Sequence, residues 1–205
     1  MKWEFRYNLK EEEFINYEDL TLTGIIFNKD IIENLDINYA DFREVKFVNC
    51  KFINITFNNS FFSKVMFENS EFINVNFLEC NFNKVIFSNS KLTSLSLFNL
   101  NIDNIQFIES LIQYSKFENL KIDVGLYDDV RFVENIFRKN KFADINFYKC
   151  NFNKDIFMDT NFNKCDLKTS YFNDISINVD DLITSKLSIL NMIEILSDKG
   201  IILED

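Results

Sequence analysis

The stretch NCKFINITFNNSFFSKVMFENSEFINVNFLECNFNKVIF, Asn49–Phe87, places a phenylalanine at every fifth residue. A period of five fits neither an α-helix, with 3.6 residues per turn, nor the two-residue alternation of a strand. The phase continues without a slip from Phe42 to Ile177, where 20 of 28 positions are Phe and the others are Leu, Ile or Tyr. Such an unbroken period predicts a repeat architecture with one core along its whole length.

A second position, two residues before each phenylalanine, alternates between small and branched residues, as in Ala40, Val45, Cys50, Ile55 and Ser60. Residues two apart in an extended segment point to the same side, so both positions face inward. The second residue after each phenylalanine is often Asn, which tolerates the positive φ of a corner. Four such corners close a square coil of 20 residues, and coils stack about 4.8 Å apart. The 28 repeats predict seven coils, with a less regular signal back to Leu22.

Four inward positions interrupt this pattern with unexpected residues: Gly125, Asn135, Asn140 and Asp155. A core of constant volume does not accommodate such changes freely. We therefore predict local irregularity over residues 123–140, as a bulge, a widened corner or a site. For Asp155 we expect a distortion that exposes its carboxylate to water.

The run CKFINITFNNSFFSKVMF, Cys50–Phe67, resembles the pentapeptide repeat family, and the resemblance extends from Ala40 to Asp181. It implies an all-β fold, a right-handed quadrilateral β-helix whose axis is filled by stacked aromatic rings. The candidate core ladder consists of Phe42, Phe47, Phe52, Phe57, Phe62, Phe67, Phe72, Phe77, Phe82, Phe87, Phe147, Phe152, Phe157 and Phe162.

The two ends of a β-helix need caps, because unpaired strand edges template aggregation. We predict an N-terminal cap at residues 1–20, the β-helix at 21–180, and a C-terminal helix and short strand at 181–205. The helix has apolar residues at helical spacing, Asp180 or Asp181 as candidate N-cap, and Gly200 just beyond its end. By resemblance to quinolone-resistance members of the family, this end also forms a homodimer; the alternative is a simple monomer cap. The candidate interface consists of Leu187, Leu190, Ile193 and Leu196.

The composition argues against an enzyme, since the chain has no histidine and only three glycines. All four cysteines, Cys50, Cys80, Cys150 and Cys165, occupy inward positions, so we expect core thiols and neither a metal site nor a disulfide. We expect no cofactor. The first residues lack the apolar segment of a signal peptide and no apolar run spans a membrane, so we expect a cytoplasmic protein with no membrane contact.

The charge distribution bears on the partner. The net charge is −10, but residues 45–178 hold 15 basic and 15 acidic residues, so the acidity lies at the two ends. Net acidity argues against direct binding of nucleic acid. The sequence favours a non-enzymatic rod that binds a protein partner or serves as a scaffold. The alternative, implied by the resemblance, is a DNA mimic that binds a type II topoisomerase (gyrase) and protects it from quinolones. Outward apolar residues along one face, Val48, Met66, Ile86 and Ile108, mark a candidate contact surface.

Overall fold

The computed structural model describes residues 10–11 and 20–201, and in this part of the chain it contains short strands followed by two helices. The first strands are β1 (Lys10–Glu11), β2 (Thr21–Thr23), β3 (Ile25–Asn28), β4 (Ile31–Asn38), β5 (Asp41–Arg43), β6 (Lys46–Val48), β7 (Lys51–Asn58), β8 (Phe61–Glu68), β9 (Glu71–Leu78), β10 (Asn81–Ser88), β11 (Lys91–Thr93), β12 (Ser96–Phe98) and β13 (Asn101–Ile108). The others are β14 (Leu111–Gln113), β15 (Lys116–Glu118), β16 (Lys121–Ile122), β17 (Gly125–Asp128), β18 (Arg131–Val133), β19 (Ile136–Arg138), β20 (Lys141–Ala143), β21 (Asn146–Tyr148), β22 (Asn151–Asn153), β23 (Ile156–Met158), β24 (Asn161–Asn163) and β25 (Tyr171–Asn173). A 3-10 helix, Val179–Leu182, and the α-helix α1, Ile189–Asp198, follow.

The strands pair in parallel with a register of 20 residues, so that Phe42 lies beside Phe62 and Phe52 beside Phe72. The chain therefore forms a β-solenoid of about eight turns, in agreement with the predicted β-helix. It extends one coil further towards the N-terminus than the seven coils predicted from Phe42, because Leu22 already pairs with Phe42. We name the four sides by the inward residue that starts each column: face A at Leu22, face B at Phe27, face C at Ile32 and face D at Ile37.

The inward aromatic rings fill the axis. All 14 residues of the candidate core ladder are buried. Within a face the rings stack, as Phe52 does on Phe72 with centroids 4.7 Å apart, and between faces they meet edge to face, as Phe57 does with Phe62 at 5.3 Å. Both arrangements are favourable for aromatic pairs. The period of five thus serves packing along the shaft.

The corners use the left-handed backbone conformation that the asparagines indicate. Asn49, Asn54 and Asn59 have φ between 50° and 56°, and most other corners have similar values. Lysine, glutamate, aspartate, serine and tyrosine also occupy such corners, for example Lys64 at 53° and Glu79 at 53°. Hydrogen bonds recur between the coils at these corners, such as the one from Asn49 N–H to the Glu68 carbonyl at 2.9 Å. They hold these residues in a backbone conformation that non-glycine residues rarely adopt elsewhere.

The expected irregularity occurs in one place and is absent in another. Between β16 and β17 the chain bends at Asp123 and Val124, and neither Val124 nor Asn104, which occupies the same corner one coil earlier, has the left-handed φ. In contrast, the prediction was wrong for Asn135, Asn140 and Asp155. Their strands are regular and their side chains are fully buried, so Asp155 is not exposed to water.

The inward polar residues fit because most of them accept a hydrogen bond from the backbone of the preceding coil. Ser60 Oγ accepts from Ala40 N–H at 3.1 Å. Asn135 Oδ1 accepts in the same way from Ser115 N–H at 2.9 Å. Since a buried polar group with a partner costs little, these residues replace small ones without distorting the coil.

Predictions for the extreme ends fall largely outside the described residues. This applies to the N-terminal cap, of which only Lys10–Glu11 and the buried Leu20 are described, and to the short strand proposed after Gly200, of which Ile201 alone is described and is not in a strand.

Candidate functional site at the C-terminal end

The C-terminal helix begins later than the sequence predicts. Its N-cap is Ser188, whose hydroxyl accepts from Asn191 N–H at 3.1 Å while Asn191 Oδ1 accepts from Ser188 N–H at 2.8 Å. This reciprocal capping box fixes the start of α1. The prediction of Asp180 or Asp181 as its N-cap was wrong, because both lie in the separate 3-10 helix.

The helix ends where the sequence predicts. Gly200 has a φ of 75°, which favours glycine. Its N–H donates to the Ser197 carbonyl at 2.9 Å, and Ile201 N–H donates to the Leu196 carbonyl at 3.1 Å. This pair of bonds is a Schellman motif, which satisfies the last carbonyls of the helix and turns the chain.

One side of α1 closes the open edge of the last coil with polar side chains. Glu194 Oε2 accepts from Phe172 N–H at 3.1 Å, and Asp198 Oδ2 accepts from Ile175 N–H at 3.0 Å. Asn191 Nδ2 donates to the Ser170 carbonyl at 2.6 Å, and Lys199 Nζ donates to the Ile177 carbonyl. These groups make the hydrogen bonds that the backbone of a further coil would make, so the strand edge is not left open. Ile195 is buried between them.

The other side of α1 is apolar and exposed. Ile189 is 83% exposed, Leu190 52% and Ile193 42%, and Met192 lies beside them. Of the four candidate interface residues, Leu190 and Ile193 belong to this surface and Leu196 is half-buried, whereas Leu187 packs against the core. We call Ile189, Leu190, Met192 and Ile193 the apolar end surface. Its members face away from the shaft, so the cap does not need them.

Three acidic residues, Asp159, Asp180 and Asp181, lie near one another in the C-terminal part of the rod. Burial raises the pKa of Asp181 above its ordinary value, and the nearby charges of Asp159 and Asp180 raise it further. Asp159 belongs to the shaft, whereas Asp180 and Asp181 belong to the 3-10 helix. Asp181 is therefore repelled by two carboxylates, one from the shaft and one from the 3-10 helix.

The shaft, in contrast, has no acidic face. Over residues 20–178, the outward residues of face A include five acidic and six basic side chains, and those of face B include five acidic and four basic ones. Face C has four acidic and four basic outward residues, and face D has four acidic and three basic ones. Each face is thus within one charge of neutral. Several opposite charges pair between coils, for example Lys51 Nζ with Glu71 at 2.9 Å and Lys64 Nζ with Glu44 at 2.6 Å.

The cysteines are core residues, as their positions predict. All four are buried and free. Burial raises the pKa of Cys80 to about 11 and the pKa values of Cys150 and Cys165 to about 12, so these thiols are protonated at neutral pH. Among the described residues no group of three or more histidine, cysteine, aspartate or glutamate side chains is arranged to hold a metal ion. In the same part of the chain, neither helix has the length and apolar character needed to cross a bilayer.

Comparison with known proteins defines the class of this fold. Residues 40–117 match the family model of the pentapeptide repeat region, which confirms the resemblance over these residues. The chain therefore carries a pentapeptide repeat region folded as a parallel β-helix.

Among solved structures, the chain is similar to a trypsin-treated variant of QnrB1, a plasmid-mediated fluoroquinolone resistance protein, with 14% identity, 96% of each chain covered and a TM-score of 0.76. The full-length form of QnrB1 gives 16% identity and a TM-score of 0.55, over 86% of this chain and all of that one. HetL is a pentapeptide repeat protein involved in heterocyst differentiation regulation in the cyanobacterium Nostoc sp. strain PCC 7120. It gives 8% identity and a TM-score of 0.36, over 84% of this chain and 85% of HetL. At these identities the likeness to the two QnrB1 structures is one of fold. No curated protein sequence matches the chain.

Sequence reasoning found the apolar stripe of α1 but missed the polar residues that close the coil. Asn191, Glu194 and Asp198 occupy one side of the helix at spacings of three and four. That periodicity could have indicated a polar buried side, but the usual rule places the apolar side of a helix against the core. Here the coil edge consists of backbone amides and carbonyls, so hydrogen-bonding side chains cover it better.

Proposed function

We propose that this protein is a non-enzymatic binding rod that acts by its shape and outer surface, and that two copies pair end to end through α1. The observation that carries the proposal is the apolar end surface. Its residues lie at the tip of the rod, outside the contacts that cap the shaft. Contiguous exposed apolar residues of this kind are typical of a contact surface.

The energetics favour pairing through this surface. Burial of apolar area contributes about 25 cal/mol per Å². Ile189, Leu190 and Ile193 leave large parts of their side chains in water in a single copy, and a second copy related by a two-fold axis offers the same residues in return. A paired rod exposes both shafts along their whole length. Their neutral, mixed-charge faces suit a protein partner better than nucleic acid.

The pairing is tested by the mass of the protein in solution. Light scattering of the full chain should give the mass of a dimer, and a Leu190→Asp, Ile193→Asp variant should give that of a monomer, because two charges would be buried without partners. A Leu187→Asp variant is a poor test, since that residue packs against the core and its replacement would unfold the cap. The matched control is Tyr39→Asp, Tyr114→Asp, which places two aspartates at exposed corners of the shaft and should remain a dimer.

A second candidate function is that of a DNA mimic which binds a type II topoisomerase and protects it from quinolones. The observation in its favour is the acidic group of Asp159, Asp180 and Asp181, because end-to-end pairing would bring two such groups to one junction. The neutral faces count against it, since a mimic of duplex DNA needs negative charge along the shaft. The test is a gyrase supercoiling reaction with and without a fluoroquinolone. Absence of any effect at micromolar protein would exclude this candidate and leave the binding rod intact.

Either role belongs in the cytoplasm. The four buried thiols fit a reducing compartment, where cysteines stay free. Cell fractionation with an antibody against the chain would test this location, and recovery in a secreted fraction would contradict it.

A further inference from the structure

A groove crosses face A near the C-terminal end of the shaft. It lies between the bend at Asp123 and Val124 and the 3-10 helix Val179–Leu182, and strands β20 and β24 form its floor. Its volume is about 520 Å³, which is within the range typical of ligand sites. We call it the face A groove.

The floor of the groove is formed by short side chains. Of the two alanines in the chain, Ala40 is in the core and Ala143 faces outward, into this groove. Ala143 pairs with Asn163 of the next coil, and Ile183 and Thr184 line the end beyond it. A short residue between longer neighbours leaves a depression in a sheet face that is otherwise flat.

The charged side chains of the groove are ordered along the shaft. Lys121 and Lys141 are neighbours in one outward column, and Asp180 and Asp181 line the opposite end. Lys121 is neutralised by Asp123, with Nζ 2.9 Å from Oδ2. Within the described residues, Lys141 and the two aspartates of the 3-10 helix make no ion pair. The groove therefore has one free positive charge and, further along, two negative ones.

The acidic end of the groove gains from a cation. Burial raises the pKa of Asp181, and the charges of Asp159 and Asp180 raise it further. A cation beside these carboxylates would offset both effects, as a carboxylate would neutralise the ammonium group of Lys141. An occupant with opposite charges on its two halves thus fits the groove in one orientation.

The floor offers no free backbone to an occupant. Strands β16, β20 and β24 pair with one another in successive coils, so an incoming strand cannot extend the sheet here. Side chains have to make the contacts, among them the amides of Asn161 and Asn163, which line the groove. Asn163 Oδ1 accepts from Thr184 Oγ1 at 2.8 Å, and its Nδ2 is oriented by this bond and can donate to an occupant.

The spacing of the charges identifies the kind of occupant. Lys141 and Asp181 are two coils apart, about 10 Å along the shaft. In a polyproline II segment, side chains three residues apart point to the same side, about 9 Å from each other, and the backbone needs no partner strand. We infer that the face A groove binds an extended segment of a protein partner, with an acidic side chain at Lys141 and, three residues away, a basic one at Asp180 and Asp181. The inference rests on the proposed binding function and names the chemistry of the partner.

A short peptide tests this inference on the full chain. The probe is an acetylated and amidated tetrapeptide of glutamate, two prolines and arginine, because its ends are neutral and its prolines favour polyproline II. Amide resonances of the isotope-labelled protein are followed as the peptide is added. Those of Lys141, Ala143, Asn163 and Asp181 should shift in a saturable way. A peptide with glutamine in place of both charged residues should shift them little.

Variants separate the groove from general electrostatic attraction. Lys141→Gln and Asp181→Asn should each weaken binding about three-fold, as the loss of one exposed ion pair allows, and together about ten-fold. Ala143→Leu fills the floor without changing any charge and should prevent binding. The matched control is Lys154→Gln, Asp174→Asn, at exposed positions of a corner that does not border face A, and it should leave the affinity unchanged.

The same amide spectra show whether each variant is folded, and the single-charge variants change only exposed or half-buried side chains. The inference is overturned if the groove resonances do not shift at millimolar peptide. Equal shifts with the neutral peptide, or equal weakening by the corner variant, would overturn it as well. None of these outcomes bears on the mass of the particle, so end-to-end pairing is tested separately.

Discussion

Asn135 donates from both its backbone N–H and its side-chain Nδ2 to a single oxygen of Asp155, at 2.8 Å in each case. The other oxygen of Asp155 accepts from Asn153 N–H at 3.0 Å. This carboxyl is fully buried in the column that also carries Ser115, one coil below Asn135. The hydrogen bonds lower the pKa of Asp155, but burial penalises its charged form more strongly and raises the pKa to about 7.

The pKa of Asp155 makes stability depend on pH. Because the folded-state pKa lies above the ordinary value of 3.8, the unfolded state loses its proton first as the pH rises. The free energy of unfolding should therefore fall between about pH 4 and pH 7, by at most roughly 4 kcal/mol from this group. Denaturant titrations from pH 4 to pH 8 measure this fall.

Asp155→Asn should remove most of that dependence and raise stability at pH 8. An asparagine can bind here as Asn135 and Asn140 do, each of which accepts a backbone N–H with Oδ1 and donates to a carbonyl with Nδ2. Asp174→Asn, at an exposed corner, is the control and should keep the wild-type profile. A variant that is as pH-dependent as the wild type would show that Asp155 does not titrate in this range.

The stacked rings should carry much of the stability of the shaft. Phe57→Ala removes a ring that stacks on Phe77 at 4.9 Å and meets Phe62 edge to face, and it should cost about 3–5 kcal/mol. Phe61→Ala, at an outward position where the ring contacts Arg43, should cost about 1 kcal/mol or less. Thermal unfolding of both variants measures the difference. Equal losses would contradict the inward–outward assignment.

Tyr127 interrupts the aromatic ladder with a hydroxyl. Its ring stacks on Phe147 at 4.6 Å and on Phe107 at 5.3 Å. The hydroxyl is buried and, among the described residues, has no hydrogen-bond partner. Tyr127→Phe should raise the free energy of unfolding by about 1–3 kcal/mol, since an unsatisfied group leaves the core. Tyr148→Phe, at an exposed position, should change nothing, and a destabilised Tyr127→Phe would reveal an unrecognised partner of the hydroxyl.

The C-terminal cap should depend on one side chain in particular. Asn191 both completes the capping box and donates to the Ser170 carbonyl. Asn191→Ala should cost about 2 kcal/mol and release α1 from the last coil, because a buried carbonyl loses its donor. Hydrogen exchange at Phe172 and Ile175, whose amides bind α1, reports this release. The control is Ser197→Ala on the exposed side, which should leave exchange unchanged.

The repeat was predictable because core packing repeats at a constant interval. Phe42 to Ile177 keep one phase, so coil, corner and ladder follow from geometry. Single inward residues were harder to interpret. Asp155 suggested a distortion because the donor of two of its hydrogen bonds, Asn135, is 20 residues away in sequence and only the coil register brings it near. The serines and asparagines 20 residues apart, such as Ser115 and Asn135, were the available signal.

The start of α1 was misjudged for a related reason. Asp180 and Asp181 have the composition of an N-cap, but the chain first completes a coil with the 3-10 helix, in which Leu182 occupies an inward position. Only after that position is filled does Ser188 begin the helix. The repeat thus overrides the local capping preference, as tertiary packing commonly does.

The central claim is that two rods pair end to end through α1. The length of the particle in solution, measured by small-angle X-ray scattering, tests it most directly. One shaft of about eight coils is about 38 Å long before its caps are added. We predict a maximum dimension about twice that of one capped rod for the full chain, and a single-rod dimension for Leu190→Asp, Ile193→Asp. A particle with the length of one rod, either as a monomer or as two rods side by side, would contradict the account.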